Sequence, residues 1–158
     1  VCPDVVGNAC ATLEWFDRWQ PELRGQGFPV ALAAQDGLEN LVVPWGRFDS
    51  LFIGGTIQWK LSMVARDLTT EAKQRGKSVH MGRVNSMKRL RLAWFWGCDS
   101  VDGSSYSKFF HRAITHRPDM CLERHLWFLA DLEHESSNFG SFMDSEMFRT
   151  CLEKDRRG

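Results

Sequence analysis

The feature that most constrains this chain is a regular alternation between short apolar runs and helix-like segments. The apolar runs recur at intervals of roughly two dozen residues, and each one ends in a glycine or a polar residue. Runs that are apolar throughout are typical of strands buried on both faces of a parallel sheet. Because parallel strands joined by helices form right-handed crossovers, the alternation predicts an α/β fold.

The strands predicted in this way lie near residues 2–6, 28–34, 50–54, 77–81 and 98–101. A closed (β/α)8 barrel of the TIM type needs eight strands and typically ~250 residues, whereas about five βα units are present. We therefore expect residues 1–103 to form part of such a barrel. The chain begins at Val1 within what looks like the middle of a fold, so we expect a fragment or a processed piece of a larger protein.

The pattern changes after Gly103. The residues just after it are polar and aromatic, and the segment from Met120 to His134 carries leucines at helical spacing. We therefore predict that residues 104–158 form a mostly helical C-terminal extension of the barrel.

Composition narrows the functional classes. The 158 residues carry 20 basic and 20 acidic side chains, so the chain lacks the strong overall basic character of many nucleic-acid-binding domains. No apolar run approaches the ~20 residues that a membrane span requires. Five cysteines without close pairing favour a reducing compartment over a disulfide framework. These features predict a soluble, cytoplasmic protein without a membrane partner.

Candidate functional residues follow the predicted strands. An aspartate in this position is more often a turn or cap residue than a catalyst, and Gly-Gly is commonly turn chemistry. The hypothesis depends on the whole set, because the carboxyl ends of barrel strands meet at one mouth. The members of the set are Asp4, Gln35, Gly54, Gly55, Met81, Gly82 and Asp102.

The chemistry of this set suits a flat heterocycle held beside a reactive carboxylate. Asp4 would accept hydrogen bonds from the amino and ring N–H groups of a purine, and Gln35 offers a donor and an acceptor for a carbonyl edge. Glycines at 54 and 55 would let backbone N–H groups approach a base closely. The polarizable thioether of Met81 suits stacking on a ring. Asp102 would then face the sugar carbon.

The motifs PDVVG, QDG, LFIGG, VHMGRVNS and GCDSVDG occur in that order and cover residues 1 to 103. Together they resemble the second half of the queuine tRNA-guanine transglycosylase superfamily. That family has a base-reading aspartate after one strand, then a Gln-Gly turn, a Gly-Gly turn, a Met-Gly strand end and a nucleophilic aspartate. Each motif is weak alone, and their common order carries the resemblance.

The resemblance implies base exchange at a (β/α)8 barrel. Asp102 would attack the sugar C1′ and expel guanine, and a 7-deazaguanine would then resolve the covalent glycosyl-enzyme. Two displacements through a carboxylate are the logic of retaining glycosidases. A second acid in the family lies on an earlier strand, which would precede Val1.

Two departures bear on the substrate. The tRNA enzymes carry Cys-Val-x-Pro-Thr-Arg after the nucleophile, whereas this chain has GSSYSK at residues 103–108. They also hold a structural zinc, but Cys121, His125 and Cys151 lack the usual ligand spacing, so we predict no metal and no cofactor. The Asp-Gly-Ser-Ser form is more similar to the DNA-modifying 7-deazaguanine branch, often carried by phages. We therefore expect DNA to be preferred over tRNA.

Cations that follow Asp102 are candidates for contact with the nucleic-acid backbone. Lys108, Arg112 and Arg117 lie where a phosphate chain would pass the nucleophile. An enzyme of this type must flip its target base out of a duplex or act on single strands.

Two alternatives remain open. The first is a noncatalytic or truncated barrel relative that binds nucleic acid or a partner. In either case, a partner chain or a missing N-terminal half would complete the barrel. The second is an unrelated TIM-barrel enzyme. No lysine ends a predicted strand, which counts against a Schiff-base aldolase.

Overall fold

In a computed structural model of the chain, residues 1–104 are described. The chain divides into two units, Val1–Gly103 and Ser104–Gly158. The predicted helical extension lies outside the described residues, as do the candidate phosphate contacts Lys108, Arg112 and Arg117.

The described residues contain a parallel sheet in which the strands follow one another in chain order. The strands are β1 (Ala31–Ala34), β2 (Ser50–Ile53), β3 (Ser78–Met81) and β4 (Ser100–Val101). Each lies within a range that the apolar pattern predicts, and each pairs in parallel with the next. The α/β class is therefore confirmed. The four strands form an open sheet in this part of the chain, and a closed barrel stays a prediction.

The strand predicted at residues 2–6 is absent from the described sheet, so this prediction is wrong. Only the N–H of Cys2 donates to β1, bonding the carbonyl oxygen of Ala31 at 3.0 Å. Pro3 has no N–H to donate, and the N–H of Val5 donates instead to the hydroxyl of Thr12 at 3.0 Å. The segment therefore runs beside the edge of β1 as irregular chain.

One α-helix precedes β1 and the others lie between later strands, and each begins after a polar residue whose side chain accepts a backbone N–H. They are α1 (Ala9–Gly25), α2 (Ile57–Lys60), α3 (Met63–Gln74) and α4 (Met87–Phe95), capped by Asn8, Thr56, Ser62 and Ser86. Short 3-10 turns occur at Leu38–Asn40 and Trp45–Arg47. Within the described part of the chain, no helix is long and apolar enough to cross a membrane.

Apolar residues at helical spacing from Ile57 to Arg75 predict one long helix, whereas the structure has two, α2 and α3. The hydroxyl of Ser62 donates to the carbonyl of Trp59 at 2.6 Å and accepts the N–H of Ala65. A serine that bonds the backbone at a helix end competes with continuation of the helix. The interruption gives a four-residue helix, α2, whose last residue reaches the end of β3.

The hydrophobic core lies between the sheet and the helices. Alternate strand residues point to opposite faces of a sheet, so one face of β2 and β3 packs into this core. Its buried side chains include Phe16, Leu51, Ile53, Ala65, Leu68, Val79, Met81 and Leu92. On the other face, the rings of Phe52 and His80 are stacked with centroids 5.1 Å apart.

Candidate functional site

A cleft of about 270 Å³ lies at the carboxyl ends of the strands. This is the end where parallel α/β folds bind ligands. Its lining contains residues from the segment before α1, from each strand end and from α2. The lining residues are Asp4, Val6, Gln35, Phe52, Gly54, Gly55, Lys60, Gly82, Arg83 and Asp102. The structure thus brings six of the predicted site residues together, the exception among residues 1–104 being Met81.

Asp102 follows β4 and is held at both carboxylate oxygens. Its Oδ1 accepts the backbone N–H of Arg83 at 2.8 Å, and its Oδ2 lies 3.1 Å from Nε2 of His80. The main chain of Asp102 is also fixed, since its N–H donates to Met81 and its carbonyl accepts the N–H of Val84. With 55% of its side chain exposed, the carboxylate is oriented but open to the cleft.

The environment of Asp102 favours its charged form. Partial burial raises the pKa of this carboxyl, but the N–H of Arg83, the interaction with His80 and the positive charge of Lys60 lower it more. The net effect places the pKa of Asp102 below its usual value. A carboxylate that is ionised at neutral pH suits attack on carbon and not donation of a proton.

His80 is a site residue that the sequence does not reveal. Its Nδ1 lies 2.8 Å from the hydroxyl of Ser100, and its ring stacks on Phe52. These contacts fix the ring so that Nε2 faces Asp102. The only sequence signal is its alternation with the buried residues Val79 and Met81, which places His80 on the opposite face of β3.

Gln35 is held by the protein at both ends of its amide. The residue is 1% exposed, with Oε1 accepting the N–H of Gly7 at 3.0 Å. Its Nε2 donates to Oδ2 of Asp4 at 2.5 Å. Gln35 therefore orients the more exposed Asp4 carboxylate, and its contact with a base edge stays a prediction.

The Gly54-Gly55 turn is closely packed against the side chains of Gln35 and Asp36. A Cβ at Gly54 would lie 2.6 Å from Nε2 of Gln35, and one at Gly55 would lie 2.6 Å from a carboxylate oxygen of Asp36. Gly55 also has φ +77°, which a side chain disfavours. The N–H of Gly54 donates to Ala34, so it cannot serve a base as predicted. No hydrogen bond among residues 1–104 uses the N–H of Gly55.

Gly82 leaves room for an aromatic ring at the cleft. A Cβ there would lie 2.6 Å from Cζ of Phe52. Met81 lies outside the cleft, because its side chain is fully buried on the helix-covered face of β3. Its predicted stacking on a base is incompatible with that position.

Lys60 is a further residue that sequence reasoning missed. No lysine ends a predicted strand, but Lys60 comes from α2. Its side chain reaches across to the end of β3. Its Nζ donates to the carbonyl of Gly82 at 2.7 Å, and the residue is 3% exposed. Burial, with the nearby charges of Arg83 and Arg89, lowers the pKa of Lys60 to about 8, although Asp102 raises it.

The described residues contain no group of three or more histidine, cysteine or acidic side chains that could hold a metal ion. Cys121, His125 and Cys151 lie outside them. The prediction that no cofactor is needed therefore stays a prediction.

Comparisons with known proteins leave the family open. Neither a protein-family model, nor a curated protein, nor a solved structure matches the chain.

Proposed function

We propose that this protein exchanges guanine for a 7-deazaguanine in nucleic acid, with Asp102 as the nucleophile. The observation that carries the proposal is the convergence of six residues, chosen from strand ends in the sequence, on one cleft. Asp102, held in its charged form, lies among them.

The chemistry consists of two displacements at the sugar C1′. First, a carboxylate oxygen of Asp102 bonds C1′ as the C1′–N9 bond to guanine breaks, and the departing base takes up a proton from water. The incoming 7-deazaguanine then loses its N9 proton to water and bonds C1′, which releases Asp102 as a carboxylate. A carboxylate offers about four lone-pair sites, so Asp102 can attack while it accepts from Arg83 and His80.

Recognition of the base is assigned to Asp4 and Gly55, which come from earlier segments of the chain than Asp102. Asp4, oriented by Gln35, would accept from the amino and ring N–H groups of guanine and of the 7-deazaguanine. The N–H of Gly55 would donate to a base carbonyl. Both groups suit guanine and a 7-deazaguanine alike, as base exchange requires.

DNA is the preferred substrate in this proposal, over tRNA. Support comes from the sequence after Asp102, which lacks the arginine motif of the tRNA enzymes. Lys108, Arg112 and Arg117 are proposed to contact phosphates. The N-terminal strands of the barrel would come from a preceding half or from a partner chain.

The proposal is tested by trapping the covalent intermediate. The chain, supplied with the N-terminal barrel strands that the family fold implies, is incubated with guanine-containing DNA or tRNA and then denatured. We expect a denaturation-resistant adduct with the parent and with the control Asp67→Asn, which alters an exposed carboxylate on α3. Asp102→Asn should form none. An equal adduct with Asp102→Asn would disprove the assignment, and labelled-guanine exchange would rank DNA against tRNA.

A second candidate is a barrel enzyme that forms a Schiff base, because Lys60 places an amine with a lowered pKa, about 8, at the cleft. Borohydride reduction in the presence of a small aldehyde separates the two candidates. A reduced adduct lost in Lys60→Met and retained in Asp102→Asn would favour carbonyl chemistry. Absence of that adduct, with guanine exchange present, would favour base exchange.

A further inference from the structure

Lys60 and Asp102 bond opposite ends of the same peptide group. The ammonium of Lys60 donates to the carbonyl oxygen of Gly82 at 2.7 Å. The next N–H along the chain, that of Arg83, donates to Oδ1 of Asp102 at 2.8 Å. The carbonyl and the N–H both belong to the Gly82–Arg83 peptide, so one planar unit connects the lysine with the carboxylate.

This peptide lies in a part of the backbone that needs external support. Arg83 has φ +57°, and among residues 1–104 it is the single non-glycine residue with a positive φ. Such a conformation is strained for a residue with a side chain and persists when surrounding contacts enforce it. The N–H of Gly82 donates to Ile53, which holds one side of the turn. On the other side, Lys60 donates to the carbonyl of Gly82, and Asp102 accepts the N–H of Arg83.

Burial makes the lysine contact strong. Lys60 is 3% exposed, and no ion pair to its ammonium occurs among the described residues. A hydrogen bond from an ionised donor in a low-dielectric site is stronger than one between neutral groups. A peptide whose carbonyl accepts such a bond is polarised, and its N–H becomes a better donor.

We propose that Lys60 is a positioning residue, which fixes and polarises the Gly82–Arg83 peptide so that its N–H orients the Asp102 carboxylate. The placement of the carboxylate follows from the contacts alone, and its catalytic consequence rests on the proposed function. In that reaction, Lys60 acts on the nucleophile through the backbone and touches neither the sugar nor the base.

The first test measures the hydrogen bond itself by NMR on the full chain. The scalar coupling between the Arg83 nitrogen and the side-chain carboxyl carbon of Asp102 reports on the bond directly. We expect Lys60→Met to abolish or weaken this coupling and to raise the pKa of Asp102. Lys77→Met is the matched control, because Lys77 also donates to a backbone carbonyl, that of Phe48, at 2.7 Å. That contact lies before β2 and β3, at the opposite end of the sheet.

An unchanged Arg83–Asp102 coupling in folded Lys60→Met would overturn the proposal, as would an equal loss in Lys77→Met. A second measurement needs no variant. In the parent protein, the Arg83 amide shift should change with the same pH midpoint as the side-chain carbon next to Nζ of Lys60. The charged groups that act on Lys60 are Arg83, Arg89 and Asp102. An Arg83 amide that ignores the Lys60 titration would also contradict the coupling.

The kinetic test uses guanine exchange. Misplacement of a reacting group costs up to about 100-fold in rate, so we expect Lys60→Met to lower kcat by about 10- to 100-fold with little change in KM. Lys60→Arg, which keeps a charged donor, should recover part of kcat. A larger effect on KM than on kcat would instead make Lys60 a ligand-binding residue. If the parent exchanges no guanine, the proposed function fails, while the NMR result still decides the positioning role.

Discussion

The two ends of the sheet use the same hydrogen bond for different purposes. At the amino ends, Asp49 accepts the N–H of Val30 at 2.7 Å, and Asp99 accepts the N–H of Val79 at 2.7 Å. Each also forms an ion pair, with Arg24 at 2.9 Å or Lys73 at 2.6 Å. These carboxylates stand just before β2 and β4 and tie each strand to its neighbour.

At the carboxyl end, Asp102 likewise accepts a backbone N–H, that of Arg83. Here the nearby ammonium of Lys60 bonds a carbonyl and not the carboxylate. Among the described residues, no lysine or arginine side chain bonds Asp102, which stays charged and faces a cleft. The comparison teaches that the partner of the carboxylate, and not the carboxylate itself, separates a structural position from the position that we propose to be reactive.

The most direct test of this comparison removes one carboxylate charge at each end of the sheet. Asp102→Asn should lower guanine exchange by about 10³-fold or more, because an amide is a poor nucleophile. Asp99→Asn should lower the free energy of unfolding and leave exchange near the parent level. Exchange assays and urea unfolding of both variants measure this. The comparison fails if the two variants lose activity equally.

Alkaline pH should affect the carboxyl end through Lys60. Its pKa is about 8 in the folded protein and 10.5 in the reference state, so the unfolded chain binds more protons between these values. Stability from this group therefore rises as the pH increases from 8 to 10.5, by on the order of 3 kcal/mol at most. The measurement is the difference in unfolding free energy between the parent and Lys60→Met across that range. A flat difference would contradict the burial of a charged Lys60.

Adding one methyl group should distinguish the packed turn from an open one. Gly54→Ala places a Cβ 2.6 Å from Nε2 of Gln35, so we expect a loss of about 1–3 kcal/mol in unfolding free energy and weaker base binding. The matched control is Gly46→Ala, where nothing lies within 4 Å of the added carbon. Thermal unfolding and base titration compare the two. Equal stability of both variants would show that Gln35 moves aside freely.

Acid should weaken the amino ends by the smallest amount. The N–H of Val30 and then Arg24 lower the pKa of Asp49, and Lys73 and then the N–H of Val79 lower that of Asp99. Groups with a lowered folded pKa stabilise the protein above the unfolded value, about 3.9, and that contribution is lost as the pH falls. Because both are largely exposed, we expect about 1 kcal/mol or less for each. Unfolding of Asp49→Asn against the parent should differ at pH 6 and converge at acidic pH.

Local pattern predicted the βα alternation well, because a buried strand must be apolar throughout and a helix start needs a capping side chain. It failed where a side-chain hydroxyl bonds a backbone group that a strand or a longer helix would otherwise use. Residues 2–6 look like a strand, yet the N–H of Val5 bonds Thr12. The long helix expected from Ile57 is interrupted because the Ser62 hydroxyl donates to the Trp59 carbonyl.

For the candidate site, the positions of some residues could be predicted from the sequence, but the roles of others could not. Topology alone brings residues that follow parallel strands to one edge, so Gly55 and Asp102 could be foreseen at the cleft. Asp4 also lines the cleft, although the strand predicted around it is absent. The roles of Gln35 and Met81 could not be foreseen, because each depends on which way a side chain packs.

The sequence by itself determined that this is an α/β chain with polar and glycine residues at its strand ends, since residue type and spacing specify burial and turns. Only the tertiary structure decided how the site is supported. Lys60 lies 42 residues before Asp102 in the chain and acts on it across one peptide group. A contact between a side chain and a distant backbone carbonyl leaves no periodicity or motif, because a carbonyl is common to every residue.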